Sequence, residues 1–551
     1  MGHADGASKM LHLNLLPAEI LHHIFAGLEP RDLGRLPRTC RFLHTFVKGN
    51  QKLCKDVYLS VLDTPADAEL DWEKEIHDYV RLSLLCTGSN VDEKTDELPF
   101  VYDTVNRLLK NASSTGEAQN EAGTHAASRN AAFLARAFRE EPARLAFLCR
   151  SFIFERARSE VRPIRIPEKP KEAHQQSAKL HCLYGRPILN CGRTRSSRVY
   201  PYACSKVYDL RQYTPRTKWG PFMDDDTDRV DWEKVEAILI VLGSNIRSQN
   251  LTAKVFSNLW ERPFVGSWAG SYVPAPNRGI QDLDLKDPYG VAGTWLRVVC
   301  FIDYNDFFGY NFPLDDQMPR EVPRPALDVG EATRLIVMKI HVTDVQPPGE
   351  QDGKDLPVVH FEGISRSIDD SWDENANSDL RVKGTVRLTK EGEVRWTTFS
   401  IFSGHARWRS EGIQIGGVGS ARGVVGHWFD TYVTSTTDAG KVLTRNRDYD
   451  PHGPCGPSAY FKVSDRAPNP KGDDQQISFH DFLPIMDFEA DLGSDEDDED
   501  FVVGEWGEDE EDEEMDVEND REALAQDLAA LASADAEIID MLLNGHHVIG
   551  E

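Results

Sequence analysis

The sequence contains no long apolar run and few cysteines, and both absences narrow the classes of protein to consider. No run of about eighteen apolar residues occurs, so a membrane span is not expected. The first ten residues lack the charged-then-apolar order of a secretory signal. The nine cysteines are scattered without a C-x-x-C pair, which favours reduced thiols over disulfides or a zinc site. We therefore expect a protein of the cytoplasm, the nucleus or both, without a bound metal.

The motifs of common enzymes are also absent. Neither H-E-x-x-H nor G-x-S-x-G occurs, and no two carboxylates are singled out by their spacing as an acid/base couple. The glycine-rich stretch 416–423 lacks the Lys-Ser/Thr pair of a P-loop and lies between two predicted strands, which indicates a hairpin. The sequence therefore predicts a non-catalytic protein without a cofactor. An enzyme that uses a cavity of the C-terminal region is the alternative.

Basic residues are outnumbered by acidic ones. The chain has 62 Lys and Arg against 91 Asp and Glu, for a formal net charge of −29. Residues 491–520 hold 18 acidic and no basic residues, so the other 521 positions carry only −11. Such a run repels itself, and we expect 466–551 to form a disordered acidic tail with a short helix near the C-terminus. The rest of the chain has no basic footprint, so we expect neither nucleic acid nor a membrane as a partner.

The most strongly patterned stretch is residues 13–49. Apolar residues recur at helical spacing after Leu16-Pro17, and prolines separate three short helical segments. Three short helices bury little surface among themselves, so some of their apolar side chains need a cover from elsewhere. That cover is either the rest of this chain or another protein, and the pattern alone leaves both readings open.

The same stretch resembles the F-box. The string L-x-x-L-P-x-E-I-L-x-x-I-F-x-x-L-x-P-x-D-L-x-x-L-x-x-T-C-R-x-x-H matches the F-box pattern nearly position for position from Leu13 to His44. One departure is Leu53, which stands near a place where F-boxes often carry tryptophan. The resemblance implies an F-box over residues 10–60 that binds a Skp-family adaptor and, through it, a cullin-RING core. The adaptor contacts that it implies are Leu16, Pro17, Glu19, Ile20, Ile24 and Leu33.

The middle of the chain divides into two predicted regions. Residues 61–160 read as a helical linker region, with apolar residues at helical spacing. Residues 161–259 begin with a stretch rich in proline, arginine and tyrosine, which predicts an extended connector. A helix follows at 230–246, with Asp231 as its cap and a buried stripe. That stripe consists of Val235, Ile238, Leu239 and Leu242.

From residue 260 the apolar period changes to that of strands. Nine segments bounded by Gly, Pro, Asp or Asn read as strands, and short glycine-containing turns join several of them. Eight to ten antiparallel strands in about 200 residues favour a barrel over 260–465, because closure leaves no free edge. The fold class predicted for the chain is α+β and multidomain: helical F-box and linker, antiparallel barrel, and disordered tail. The segments read as strands are 264–273, 293–304, 332–345, 358–365, 380–389, 393–402, 407–417, 421–430 and 458–463.

Tryptophan and arginine are the residue types that suggest binding by the predicted barrel. Both types dominate interface hot spots, and arginine holds a carboxylate or phosphate in a bidentate grip. The alternative is that the tryptophans fill the barrel and the arginines are solvated. The candidate target-binding residues are Trp295, Arg409, Arg422 and Trp428.

Residues 199–465 also resemble the segment that follows the F-box in a group of fungal F-box proteins. The similar strings include KVYDLRQYT, WGPF, VDWEKVEAI and GTWLRVVCFIDYNDF. The order of F-box, helices and barrel is similar to that of F-box ligase subunits whose barrels bind substrate termini. These resemblances imply the substrate-recognition subunit of an SCF-type ubiquitin ligase with an unknown protein target. The alternative is a ligand-binding barrel or scaffold that the F-box anchors outside a cullin ligase.

Overall fold

A computed structural model describes the chain in segments. They are 13–65, 69–88, 90–113, 124–125, 127–159, 171–189, 193–251, 253–275, 281–313, 318–319, 322–368, 381–402, 404–436, 442–446, 453–468 and 477. The chain divides into two compact units, Met1–Phe488 and Glu489–Glu551, and every described residue belongs to the first. The acidic run 491–520 and the helix predicted after it lie outside the described residues.

The N-terminal region consists of short helices, as the apolar pattern predicts. Pro17 precedes the first α-helix, and Gly49 has a φ of +75°, a left-handed conformation that glycine adopts without steric cost. The elements are a 3-10 turn at Leu13–Leu15, α1 at Ala18–Ala26, α2 at Pro30–Leu33, a 3-10 turn at Leu36–Arg38, α3 at Arg41–Val47 and α4 at Gln51–Val61.

A larger helical body follows and continues up to residue 260. Its first helices are α5 at Trp72–Thr87, α6 at Val91–Lys94, α7 at Leu98–Lys110, α8 at Arg129–Ala137, α9 at Glu141–Phe147 and α10 at Phe152–Ser159. The last four are α11 at Glu172–Tyr184, α12 at Arg193–Val207, α13 at Trp232–Ser248 and α14 at Lys254–Trp260. Short 3-10 turns lie at Thr95–Glu97 and Leu210–Gln212.

The extended connector predicted at the start of 161–259 is wrong for the described residues 171–189 and 193–207. Both segments are mainly helical, and α12 even contains Pro201 in its interior. Burial explains this, because Tyr202, Ala203, Cys204 and Val207 of α12 all pack into the core. Tertiary packing therefore outweighs the low helix propensity of proline at this site.

Helix α13 forms as predicted but is buried on every side rather than along one stripe. Asp231 caps it by accepting a hydrogen bond from the Lys234 N–H at 3.2 Å. The charged side chains of the helix find partners inside the protein: Glu233 accepts from the Phe152 N–H and Glu236 pairs with His181 at 2.7 Å. The helix packs against strands of the C-terminal region and joins the helical body to them.

The C-terminal region is a closed barrel of eight antiparallel strands in the order β12-β3-β4-β5-β6-β7-β8-β9. Its strands are β3 at Gly293–Ile302, β4 at Glu331–Gln346, β5 at Val358–Ser367, β6 at Arg381–Leu388, β7 at Val394–Phe402, β8 at His405–Gln414, β9 at Val424–Asp430 and β12 at Cys455–Ser464. Two further pairs are β1 at Thr124–His125 with β2 at Tyr272–Val273, and β10 at Tyr432–Thr436 with β11 at Val442–Asn446. A 3-10 turn at Asp284–Lys286 precedes the barrel, and helix α15 at Tyr304–Asn311 follows β3.

Eight of the nine predicted strand segments correspond to barrel strands, which confirms the barrel. The exception is 264–273, of which only Tyr272 and Val273 are extended, and they pair with β1 outside the barrel. The positive φ angles of Phe264, Gly266 and Gly270 break the extended conformation there.

The two faces of the barrel wall differ in composition. The outward side chains of β3 include Leu296, Val298 and Cys300, which pack into the same core as the helical body. The inward ones include Trp295, which belongs to a separate core inside the barrel. The outer face of β3 thus belongs to an apolar core, because helices cover it.

Candidate functional site

Apolar side chains of the N-terminal region are uncovered. Ile20 and Ile24 lie one turn apart on α1 and are 46% and 44% exposed. Leu15, in the turn before α1, is 72% exposed, and Phe42 of α3 is 40% exposed. We call the side of α1 that carries Ile20 and Ile24 the open face. Covering an exposed isoleucine with a partner removes apolar surface from water and so stabilises the complex.

The neighbouring side of α1 is fully used for packing. Leu21 and Phe25 are 1% and 2% exposed, and α1 packs against α4, where Leu53 is completely buried. His22 also bonds to Asp56 of α4 at 2.7 Å. Helix α1 is therefore apolar on two sides, and the described residues cover only one of them.

The six predicted adaptor contacts differ in how far they are exposed. Pro17, Glu19, Ile20 and Ile24 are exposed, and Leu16 is half-buried against the core. Leu33 is buried in the core, so it supports the fold of this region instead of offering a contact surface. Sequence reasoning did not select Leu15 or Phe42, because nothing in the pattern separates an exposed leucine or phenylalanine from a buried one.

A second candidate site is the interior of the barrel, which we call the lumen. Trp295 of β3 meets Trp396 of β7 with ring centroids 4.9 Å apart, and these strands lie on opposite sides of the barrel. Phe361 packs on the same Trp396 ring at 5.6 Å. Tyr289, in the chain that enters β3, closes this end of the lumen and donates to the Pro357 carbonyl at 2.8 Å. The lumen therefore has an aromatic floor.

Arg297 lies above that floor, two residues along β3 from Trp295. Its Nε donates to Ser458 Oγ at 3.0 Å, and its Nη2 donates to Ser410 Oγ at 2.6 Å. Its guanidinium also lies 5.2 Å from the centre of the Tyr460 ring. Burial lowers the pKa of Arg297, and no carboxylate of the described residues forms an ion pair with it. Arg297 is not among the target-binding residues predicted from the sequence.

The upper lumen is the part that reaches solvent. Phe301, Ile336, Ser400 and Trp408 all point inward by strand alternation and are only partly buried. Beside them, the buried Trp428 packs on Trp408 with ring centroids 5.1 Å apart. These side chains line an aromatic and polar mouth opposite the floor.

Trp428, a predicted target-binding residue, has a structural role. Its Nε1 donates to the Cys300 carbonyl at 3.1 Å, which fixes the indole against the barrel wall. Gly456 makes room for that indole, since an added Cβ there would lie 2.8 Å from Trp428 Nε1. Trp295 is held in a similar way, because its Nε1 donates to the Val291 carbonyl at 2.9 Å.

Arg409 lies on the outer wall of the barrel, away from the lumen. Its Nη2 and Nε donate to Glu411 Oε1 at 2.5 and 2.8 Å, and its guanidinium lies 5.0 Å from the Trp219 ring. Arg395 donates to the other oxygen of Glu411 at 2.9 Å. Burial opposes ionisation of Glu411, but the two arginines outweigh it and hold the pKa of this carboxyl below its usual value. Arg409 therefore completes a buried ion network.

Arg422 is buried between the barrel and the helical body. Its Nη1 donates to the carbonyls of Leu259 and Val265. Gly185, which ends α11 with a φ of +83°, lies so close that an added Cβ would overlap the guanidinium. Burial lowers the pKa of Arg422 to about 9. This arginine joins two parts of the fold.

The four predicted target-binding residues thus do not form one site. Trp295 and Trp428 lie inside the barrel, whereas Arg409 and Arg422 lie outside it, and all four are buried. Their burial and bonding explain them as parts of the fold. The tryptophans fill the barrel, as the alternative interpretation held, but the arginines are buried and partnered rather than solvated.

A surface cleft of about 460 Å³ lies elsewhere, beside the C-terminal end of α13. Its lining mixes apolar and charged side chains, among them Ile246, Arg247, Phe256, Trp260 and Glu261. No predicted site residue lines it, and none of its described lining atoms is a buried polar group without a partner. Nothing in this cleft selects a particular ligand chemistry.

The described part of the chain offers no other site of an obvious class. Within it, no group of three or more His, Cys, Asp or Glu side chains is arranged to hold a metal ion. Within the same segments, no helix combines the length and the apolar character needed to cross a bilayer.

The comparison with protein families gives a match on the region with the open face. The F-box-like family model matches residues 13–60. No curated protein and no solved structure matches the chain. The chain therefore contains an F-box-like domain at residues 13–60, which supports its description as an F-box protein.

Proposed function

We propose that the protein is the substrate-recognition subunit of an SCF-type ubiquitin ligase. Its F-box-like domain binds a Skp-family adaptor and, through the adaptor, a cullin-RING core in the cytoplasm or nucleus. The barrel binds a protein target. The chain itself is not catalytic, because ubiquitin transfer belongs to the RING subunit and its conjugating enzyme. The observation that carries this proposal is the open face of α1, where Ile20 and Ile24 are exposed beside the buried Leu21 and Phe25.

The size of the open face fits a helix-to-protein contact. Burying a whole isoleucine side chain yields about 1.5–3 kcal/mol, so covering two half-exposed ones contributes a comparable total. Pro17 and Glu19 are exposed at the start of the same helix, and Leu15 precedes them. These residues extend the surface offered to the adaptor along the first turn of α1.

The barrel mouth is a better candidate for target binding than the four residues chosen from sequence. Exposed aromatic side chains stand at the end of the barrel where the lumen reaches solvent: Tyr304 and Phe308 on α15 and Phe402 at the end of β7. Tyr304 and Phe308 are stacked, with ring centroids 6.1 Å apart. Exposed aromatic groups of this kind commonly serve as anchors in protein interfaces.

Co-purification from cells tests the assignment. We expect the full chain to retain the adaptor and the cullin, and Ile20→Asp with Ile24→Asp to lose both, because a carboxylate on the open face would be buried without a partner. His23→Asp is the control for a new carboxylate on α1, since it places one at an exposed position beside the open face. Retention of the adaptor by the double variant would contradict the proposal.

A second candidate function is a ligand-binding barrel that the F-box-like domain anchors outside a cullin ligase. The observation that favours it is the buried Arg297 above the lumen floor, which has no counter-ion among the described residues. The same co-purification separates the two functions. Recovery of the adaptor without a cullin would favour the anchored barrel.

A further inference from the structure

The geometry of the lumen points to a binding site for a carboxylate group at Arg297. We infer that the barrel takes a monocarboxylate with an apolar body, whose carboxylate pairs with the Arg297 guanidinium and whose body extends to the mouth. This inference depends only on barrel residues and not on the role proposed for the F-box-like domain.

The first argument is the unbalanced charge of Arg297. A guanidinium has five N–H donors, and the described residues accept only two of them, through Ser458 Oγ and Ser410 Oγ. Both partners are neutral hydroxyls, whereas Arg409 and Arg395 on the outer wall each form an ion pair with the carboxylate of Glu411. A buried charge without a counter-ion is costly, so a binding anion would relieve that cost.

The second argument is Thr398, an independent polar group on the same inner surface. Thr398 pairs with Ser410 across β7 and β8, so both side chains point into the lumen, next to the Arg297 guanidinium. The Thr398 hydroxyl is buried and has no hydrogen-bond partner. It is thus placed to donate to an oxygen of a carboxylate held by Arg297.

The charge and shape of the lumen select the class of anion. Arg297 brings a single positive charge, which matches a carboxylate better than a phosphate dianion. Ile336 lies beside Arg297, and the wall between Arg297 and the mouth carries the apolar or aromatic Val299, Phe301 and Trp408 together with the polar Ser400. Phe301 lies four positions along β3 from Arg297, which corresponds to a depth of about 13 Å. The part of the ligand that lies inside the lumen is therefore mainly apolar and about this long, and a longer ligand extends out of the mouth.

Two sources offer this chemistry: a free organic acid, and the C-terminal carboxylate of a polypeptide with apolar last residues. Both present one carboxylate on an apolar body. Equilibrium dialysis of the purified full chain separates them with two pairs of probes. One pair is octanoate and octanamide, and the other is an apolar hexapeptide with a free C-terminal carboxylate and its C-terminal amide.

We expect at least one carboxylate probe to bind, and its amide to bind more weakly by about tenfold or more, because hydrogen bonds to a charged group are the strong ones. Arg297→Met should remove this preference for the acid, and Arg297→Lys should retain part of it. Arg381→Met is the matched control, because Arg381 is exposed on the outer face of β6, and it should bind like the wild type.

Melting temperatures with and without ligand distinguish a binding role of Arg297 from a purely structural one. The carboxylate probe that binds should raise the melting temperature of the wild type and of Arg381→Met, but not that of Arg297→Met. Without ligand, Arg297→Met should melt at or above the wild-type temperature, since it removes a buried charge. Equal binding of acid and amide, undiminished acid binding by Arg297→Met, or no binding of either acid would overturn the inference. Loss of adaptor binding would leave these results unchanged.

Discussion

The F-box-like domain and the barrel differ in which side chains they bury and which they expose. In the domain, apolar groups such as Ile20 and Ile24 stay exposed. In the barrel and the helices around it, charged groups such as Glu411, Arg422 and Glu236 are buried. These three buried charges have partners in the same chain, whereas no described residue covers the two isoleucines. The difference indicates that another molecule is needed where a group lacks a partner among the described residues, as on the open face, and not wherever a charge is buried.

The largest expected loss of stability tests whether the buried charges of the barrel depend on their partners. Glu411→Ala leaves Arg395 and Arg409 buried without their carboxylate, and we expect it to destabilise the protein by about 3–5 kcal/mol. Glu391→Ala is the matched control at an exposed turn and should change little. Chemical denaturation followed by tryptophan fluorescence measures both. A loss below about 1 kcal/mol for Glu411→Ala would mean that the network is dispensable.

The next effect compares two neighbouring residues of α1. Leu21→Ala removes a buried side chain and should cost about 2–5 kcal/mol, provided that this region unfolds together with the rest. Ile20→Ala trims an exposed side chain and should cost no more than about 0.5 kcal/mol. The same denaturation experiment measures both variants. Equal losses would show that α1 is covered on both sides and would remove the basis for a docking face.

A pH effect follows from a buried carboxyl at the junction of helices and barrel. Burial raises the pKa of Glu331 from 4.5 to about 7, although hydrogen bonds from Tyr208, Asn245, Tyr200 and Cys204 counteract it. Between pH 4.5 and 7 the native state therefore binds more protons than the unfolded state. Stability should fall as pH rises through this window, by up to about 3 kcal/mol from this group.

Melting temperatures at pH 5 and pH 8 test this effect. Glu331→Gln should reduce the fall in stability between the two values, and Glu362→Gln, at an exposed position of β5, should leave it unchanged. Burial also raises the pKa of Glu233 to about 7, so part of the fall should persist in Glu331→Gln. A steeper fall in Glu331→Gln than in the wild type would contradict the assignment.

The smallest effect concerns a turn of the F-box-like domain. Gly49 has a φ of +75° with open space around it, so Gly49→Ala should cost about 1 kcal/mol from backbone strain alone. Gly34→Ala is the matched control, because Gly34 has an ordinary helical φ of −64°. Its loss should be smaller and can even become a gain. Denaturation of the two variants side by side decides this prediction.

Local pattern was sufficient to predict most elements. In the barrel strands, apolar and polar residues alternate, and turn residues bound each strand. The helices of the F-box-like domain follow prolines and end near glycines. Both kinds of signal lie within a few residues of the element that they predict. The helix at 193–207 was not predicted, because its proline and arginine content suggested an extended chain. Its stability comes from core contacts with residues that are distant in sequence.

The candidate sites were less predictable, because exposure depends on distant parts of the chain. Ile20 and Leu21 are chemically alike, and only the position of α4 determines which of them is buried. Arg409 and Arg297 are both arginines in strands, yet Arg409 bonds to the carboxylate of Glu411, whereas Arg297 donates to serine hydroxyls. No local pattern distinguishes these cases. Alternation along β3 does place Arg297 on the side of Trp295, a signal that sequence reasoning did not use.

The central claim is that the open face of α1 is where the adaptor binds, and calorimetry with a purified Skp-family adaptor tests it most directly. The full chain should bind the adaptor, and Ile20→Asp with Ile24→Asp should weaken binding by about a hundredfold or more while the melting temperature stays within a few degrees. Unchanged affinity of the double variant, or no binding by the wild type, would contradict the claim.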